Sequence, residues 1–442
     1  MDPERDSLPP GSPGLRPSGF ERDVRHSAGA QAVSVAVRLA SSIALARLLG
    51  PTARGEVALA LWAPVLFHAA CYWSLGEASV AMLTQGRHAR EDVLGGLNTL
   101  ALALIAAGTL AYFGLGGWIL AVLKHEIPWR LYALGFALFP INVLWAGWAA
   151  THLGLGNVAR VNWGRVINQS VLLAGVLVAL PWLGREPMVA VAAYVAAAAA
   201  ELVWVGTALN REIPLRVRWR PAVQREQLAR GARMSAAVWT TAASQRLHLV
   251  LVNWFGGATG VGFYAIAAGL RDFALLLPDT FVRPVLAEAA RDPAGVAFAR
   301  LGRVMRPALG LMGAAAVALG LILPWAVSWM YSDAFLPAVP AGRWLLAGYV
   351  AFGLVNILSA IFIGTGRPGP LVLSQLAALG ALVAAAAALG PGGGIAGVAG
   401  AICMSQWTAL AVLLALTRRS FAGSLSALFG FTHHGAQPHG QA

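Results

Sequence analysis

The sequence predicts an all-α polytopic membrane protein, and three observations carry the prediction. Of 442 residues, 58% are hydrophobic and only 12% charged, where soluble chains average about 25% charged; the mean hydropathy is +0.67. The apolar residues fall in unbroken runs of helix-spanning length, not in the alternating segments of about ten residues that a β-barrel requires. The 50 glycines and the alanine runs suit helices packed closely in lipid, where small residues let backbones approach. An ordinary soluble enzyme is excluded first.

Spans long enough for a hydrocarbon layer of about 30 Å are predicted at 28–49, 57–82, 93–122, 130–150, 165–184, 187–209, 234–255, 260–287, 306–330, 343–364, 369–389 and 395–417. Residues 1–27, rich in Pro, Gly and charge and without an apolar signal core, are expected to be a disordered cytoplasmic tail. Residues 28–209 form an N-terminal six-helix lobe, 210–233 a basic cytoplasmic linker, 234–417 a C-terminal six-helix lobe, and 418–442 a second cytoplasmic tail. A short amphipathic helix is expected near Phe421–Phe431. The connections are short, leaving little mass for a catalytic domain outside the bilayer.

Cations set the orientation. With the N-terminus inside, twenty-two arginines fall on the cytoplasmic side, seven of them between Asn210 and Arg233. Only Arg54, Lys124, Arg130, Arg185 and Arg343 fall on the other side. That positive-inside bias places both termini in the cytoplasm. It also accounts for much of the +13 net charge without nucleic-acid binding. Cys71 and Cys403 lie in apolar runs and suggest neither a disulfide framework nor a metal cluster. His433, His434 and His439 have no ligand-like spacing, so no metal and no cofactor is expected.

The two lobes read as a duplication. Leu153–Asn157 corresponds to Ile363–Arg367, and Pro181 to Pro391, both at an offset of 210, while Leu49-Gly50 corresponds to Phe255-Gly256 at an offset of 206. Six helices per copy make the repeats parallel, and such folds place substrate between the repeats near mid-membrane.

Polar groups inside the spans are the candidate site, since they are costly there and normally face a watery cavity. Arg38 and Arg246 lie mid-span at an offset of 208 and are expected to face each other across the pseudo-twofold axis. Gln31, Ser34, Arg38 and Ser41 or Ser42 form a polar stripe on the first helix. Thr241, Ser244, Gln245 and His248 surround Arg246, and Arg271 is a third intramembrane cation. Two readings stay open: the arginines line a cavity, or they pair with Glu77, Glu201, Asp272 or Asp279 and fasten helices. If they line a cavity, guanidinium forks with nearby hydroxyls and amides suit a polyanion such as a diphosphate. No P-loop is present.

Three segments carry a resemblance. Leu45–Gly55 (LARLLGPTARG), Arg246–Leu270 with its break at Phe255-Gly256, and Ile363–Pro368 followed by Gly394–Gly397 are similar to bacterial polysaccharide and oligosaccharide-lipid flippases. These belong to the multidrug/oligosaccharidyl-lipid/polysaccharide exporter superfamily. The resemblance implies a MATE-like arrangement, two parallel six-helix lobes around a central cavity. It also implies a substrate, a polyprenyl-diphosphate-linked glycan moved across the bacterial inner membrane with its tail in the membrane lipid. Further implications are drive by an ion gradient or the membrane potential, polysaccharide polymerase or synthase proteins as possible partners, and a monomer. Two positions depart from the pattern: His248 stands where related flippases often carry an acid, and Glu56 where an aromatic often follows Arg-Gly. Alternative readings are a scaffold subunit of a polysaccharide synthase complex, or a cation-coupled multidrug exporter on the same fold.

Overall fold

The computed structural model describes residues 17–274, 294–364 and 369–420, together with 278, 281, 282 and 285. Residues 1–16 and 421–442, with the histidines and amphipathic helix expected in the second segment, lie outside the described residues, as do Asp279 and the loop 365–368. Among the described residues there is no strand, and nine helices are long and apolar enough to cross a membrane. This is a multi-pass membrane protein, as lipid requires of a chain that must satisfy its backbone internally.

The helices are α1 (Pro17–Cys71), α2 (Leu75–Gln85), α3 (Arg90–Gly114), α4 (Gly116–Val122), α5 (Trp129–Phe136), α6 (Leu138–Gly154), α7 (Val158–Ala174), α8 (Leu180–Leu183), α9 (Pro187–Asn210), α10 (Pro221–Ala274), α11 (Ala294–Met330), α12 (Ala338–Gly364) and α13 (Gly369–Ser420). A π-helical turn, Gly175–Ala179, joins α7 to α8. At 1.5 Å per residue, the 52 residues of α13 would reach about 78 Å, more than twice the hydrocarbon thickness. The long helices are therefore pairs of crossings folded at a glycine. Gly50 (φ 73°) folds α1, Gly257 (φ 62°) folds α10 and Gly394 (φ 51°) folds α13, while Gly184 (φ 118°) turns the chain between α8 and α9. Such backbone conformations are open to glycine with little penalty. Each of the twelve expected spans is helical over most of its described residues.

The structure differs from the sequence reading at five places. Helix α1 begins at Pro17, so residues 17–27 extend the first helix. The second span is interrupted at Trp73 and Ser74, both with φ near 49°. The basic linker is helical from Pro221. Fourth, the duplication register is 207 at the first hairpin, because Gly50 corresponds to Gly257 rather than Gly256; the 5–6 hairpins, at Gly184 and Gly394, are offset by 210. The fifth concerns Arg54, expected in a loop. Pro51 stands at the start of the resumed helix, where its missing N–H costs nothing, so Arg54 is a helical residue.

The four hairpin glycines mark one end of the bundle, called the kinked end below; the arginine-rich connections mark the opposite, basic end. Exposed tryptophans ring both ends. Trp118, Trp182, Trp254, Trp325, Trp329 and Trp344 lie toward the kinked end, and Trp163, Trp204 and Trp219 toward the basic end. Two such belts are where indoles sit between headgroups and hydrocarbon.

At the basic end the connection 211–220 is strapped to the first half. Arg218 bonds Asp92 at 3.1 Å and also pairs with Glu91, and hydrogen bonds from its guanidinium to Asp92, then the nearby Glu91 charge, raise its pKa above the ordinary value. The start of α10 follows the same side. Gln227, fully buried, donates to Ser79 Oγ (3.0 Å) and Val93 O (2.9 Å), and Glu226 joins His88 (2.8 Å) and Arg230 (2.5 Å). The first turns of α10 thus pack on α2 and α3, and its later crossing belongs to the second half. The largest core joins both halves toward the kinked end, with Leu45, Val57 and Tyr132 packed with Val252, Val261 and Val398. Separate cores lie inside each half, around Leu94, Leu97 and Phe139 and around Met305, Tyr349 and Phe362.

Candidate functional site

A cavity of about 220 Å³ lies between the halves, room for about seven waters at about 30 Å³ each. Its polar wall is Arg38, Ser41, Ser42 and Arg54 from α1, Gln169 from α7, Tyr194 from α9 and Tyr331 from the turn after α11. The second half adds Ala265 and Gly269 from α10. No acidic side chain lines it among the described residues, and no carboxylate there lies within ion-pair distance of Arg38 or Arg54.

The two guanidinium groups differ in setting. Arg38 is exposed, about three helical turns ahead of the Gly50 fold, while Arg54 is 9% exposed and its Nε has no hydrogen-bond partner. A buried, partnerless N–H costs free energy that a ligand acceptor would recover. Tyr331, 1% exposed, turns its hydroxyl toward Ser42 and Arg54. Ser41 donates its proton to Val37 O at 2.8 Å, so it offers only acceptor capacity; Ser42 keeps its hydroxyl toward Tyr331. Gln169 donates to Asn168 Oδ1 at 3.1 Å, leaving its buried Oε1 unpaired.

The structure brings Arg38, Ser41 and Ser42 together in this cavity; Ser34 is half-buried on the same helix but does not line it. Arg246, Arg271 and His248 form a separate group on α10. Both arginines lie within electrostatic reach of His248, which is 4% exposed with Nε2 unpaired, and both have partners of their own. The carbonyl of Arg246 accepts from Trp62 Nε1 at 2.8 Å, tying α10 to α1. The side chains of Gln31, Thr241, Gln245 and Asp272 lie outside the described residues. The register explains why Arg246 is absent from the cavity wall. Arg38 stands twelve residues before Gly50 and Arg246 eleven before Gly257. At 207 the counterpart of Arg38 is Gln245, and Arg246 is turned about 100° away around the helix.

Of the acids named as fasteners, Glu77 is exposed in the first turn of α2. Glu201 is 8% exposed inside the first half, facing Trp145 and Asn168 with Arg165 nearby. Neither reaches Arg38. Sequence reasoning missed Arg54, Gln169, Tyr194 and Tyr331. For Arg54 the Gly50-Pro51 pair was a usable signal of a helix restart; for Tyr331 no local signal exists, since 277 residues separate it from Arg54.

The fold is shared with solved MATE family transporters and with a solved lipid II flippase. The chain overlaps a structure described as an inward-facing conformation of a multidrug resistance MATE family transporter with TM-score 0.70 at 15% identity, covering 87% of this chain and 94% of that one. It overlaps the lipid II flippase MurJ in an inward closed conformation with TM-score 0.72 at 13% identity, covering 91% and 88%. For an outward-facing MATE family transporter the TM-score is 0.60 at 15% identity, covering 92% and 97%. No protein-family model matches the chain, and no curated relative matches it in sequence.

Proposed function

We propose that this protein is a flippase that carries a polyprenyl-diphosphate-linked glycan across the bacterial inner membrane by alternating access. The basic end, with both termini, faces the cytoplasm, a reading that the arginine distribution supports. One observation carries the reading: the inter-lobe cavity has two guanidinium groups, one of them buried with an unpaired Nε–H, and no acid among its described lining. Such a wall favours phosphate, because arginine presents bidentate donors and stays charged. The cavity holds a diphosphate rather than a sugar chain, so the glycan extends toward the basic end and the lipid tail stays in the bilayer. Arg246 and Arg271 meet the anion as the lobes move, and the cycle involves no covalent chemistry. Neighbours of the same fold include a named lipid II flippase, which supports a lipid-linked substrate. The larger overlap with inward-facing than with outward-facing neighbours supports a form closed at the kinked end.

A cation exporter on this fold would need carboxylates in the cavity, and none lines it among the described residues. A scaffold subunit would keep the fold and move nothing. Purified protein in liposomes containing labelled polyprenyl-diphosphate sugar tests the proposal: the labelled headgroup becomes accessible on the opposite face, and Arg38→Ala/Arg54→Ala abolishes this while insertion is unchanged. Equal flux in the double variant, or none in the parent, overturns it.

A further inference from the structure

Toward the kinked end the two folded helices cross, and the crossing is reciprocal. A Cβ on Gly55 would overlap the carbonyl oxygen of Ala258, and a Cβ on Gly262 would overlap that of Pro51. Between them Thr52 Oγ1 and Thr259 Oγ1 meet at 2.8 Å. Thr52 and Thr259 are themselves related by 207, and the same offset exchanges the two glycine contacts, Gly55 for Gly262 and Pro51 for Ala258, so each half makes to the other the contact it receives. That is the self-complementary geometry of a twofold interface.

A second layer flanks the first with the same symmetry. Arg47 donates through Nε to Met330 O at 2.8 Å and also bonds Trp329 O. At 207 its counterpart is Trp254, which donates through Nε1 to Val122 O at 2.7 Å, beside Asn253 Nδ2 to Leu123 O at 2.9 Å. Val122 and Leu123 correspond to Trp329 and Met330 by the same offset. Each half therefore caps the carbonyl end of the other half's third crossing, where helix acceptors run out of intrahelical donors; Leu123 O accepts from Glu126 N as well. Both layers are attached directly to the cavity. Arg54 precedes Gly55, and Tyr331 follows Met330, so two lining residues are joined by single peptide bonds to two points of the contact.

We infer that this two-layer crossing of Gly55 with Ala258, Gly262 with Pro51 and Thr52 with Thr259, clamped by Arg47 and Trp254, is the outer seal of the cavity and parts in the opposite access state. The inference rests on the alternating-access reading above. Its parts suit a contact that must open: the glycines meet bare carbonyls without interlocking side chains, and the clamps are hydrogen bonds whose groups water satisfies once the halves separate. Arg54 and Tyr331 give a bound anion a mechanical connection to both layers.

The test needs no glycolipid, so its outcome is independent of whether the proposed substrate is correct. In a background with Cys71→Ser and Cys403→Ala, Ser42→Cys reports on the cavity through its reaction with a membrane-impermeant maleimide, in spheroplasts and in inverted vesicles. Gly55→Ala/Gly262→Ala prevents the crossing. Thr52→Lys/Thr259→Lys, at an exposed and a half-exposed position, opposes like charges there without adding buried bulk and serves if the alanine pair fails to fold. Either pair is expected to raise the labelling rate at least tenfold in spheroplasts and not in inverted vesicles. A rate unchanged in spheroplasts for a folded pair, or raised equally in both preparations, overturns the inference.

Discussion

Arg54 and Arg38 line one cavity in different surroundings, and this predicts an unequal response to truncation. Arg54 is 9% exposed with an unmade Nε–H, whereas Arg38 is exposed. A charge-assisted hydrogen bond in a desolvated site contributes about 1.5–3 kcal/mol. At about 1.4 kcal/mol per decade, Arg54→Ala should weaken diphosphate binding by about 10- to 150-fold. An exposed pair contributes about 0.2–1 kcal/mol, so Arg38→Ala should cost only about 1.4- to 5-fold. Arg54→Lys keeps the charge but loses the fork and should fall between the wild type and Arg54→Ala. The apo protein should respond in the other direction. Removing a buried guanidinium that lacks a full set of partners relieves a desolvation cost, so Arg54→Ala should melt no lower than the parent. Titration calorimetry with a short-chain diphosphate-linked sugar, beside melting curves in detergent, measures both. A larger loss for Arg38→Ala than for Arg54→Ala, or an Arg54→Ala protein that binds normally and melts several degrees lower, would refute the reasoning.

Three further outcomes follow from contacts away from the cavity. Gln227→Ala breaks two bonds, to Ser79 Oγ and to the buried Val93 carbonyl, which at about 0.5–1.5 kcal/mol each should lower stability by about 1–3 kcal/mol, measured by denaturant unfolding; an unchanged midpoint would show that α10 does not depend on this strap. Trp62→Phe deletes the bond to Arg246 O and should cost about 0.5–1.5 kcal/mol, checked in the same assay. Hydrogen bonds from His88, then Arg230, hold the Glu226 carboxyl below its ordinary value of 4.5. A depressed carboxylate stabilises the fold above its unfolded pKa, and that contribution disappears as pH falls through the folded value. The melting advantage of the parent over Glu226→Gln should therefore be present near neutral pH and vanish below 4.5; an advantage that grows in acid would contradict the assignment.

The architecture was legible because lipid leaves few solutions: an apolar run of twenty residues becomes a crossing whatever its neighbours do. Pro181 and Pro391 and the glycine-marked turns also showed the duplication before any coordinates. What the sequence concealed were differences of one residue and contacts made over long separations. Gly256 and Gly257 are adjacent, and only the backbone conformation shows which one folds α10; that choice moves Arg246 about 100° around its helix. Arg54 was counted with the loops because hydropathy averages across a kink, while Pro51 lets the helix resume at once. Tyr331 is brought to the cavity by packing between halves, which no window along the chain can report.

Symmetry is kept where the halves touch and lost where a ligand would bind, and one physical cause accounts for both. A twofold contact must be self-complementary, so a change on one side spoils the mate on the other; Gly55 and Gly262, and Thr52 and Thr259, have stayed matched. The cavity carries no such condition. The counterparts of Arg38 and Arg54 at 207 are Gln245 and Val261, so the described basic lining comes from the first half alone. A substrate with one charged head and one tail has no twofold axis and needs only one set of donors. In the proposed cycle the second half therefore presents only Ala265 and Gly269 to the cavity as it stands, and its own cations, Arg246 and Arg271, come to the headgroup only as the halves move, so that the anion is not held equally from both sides at once.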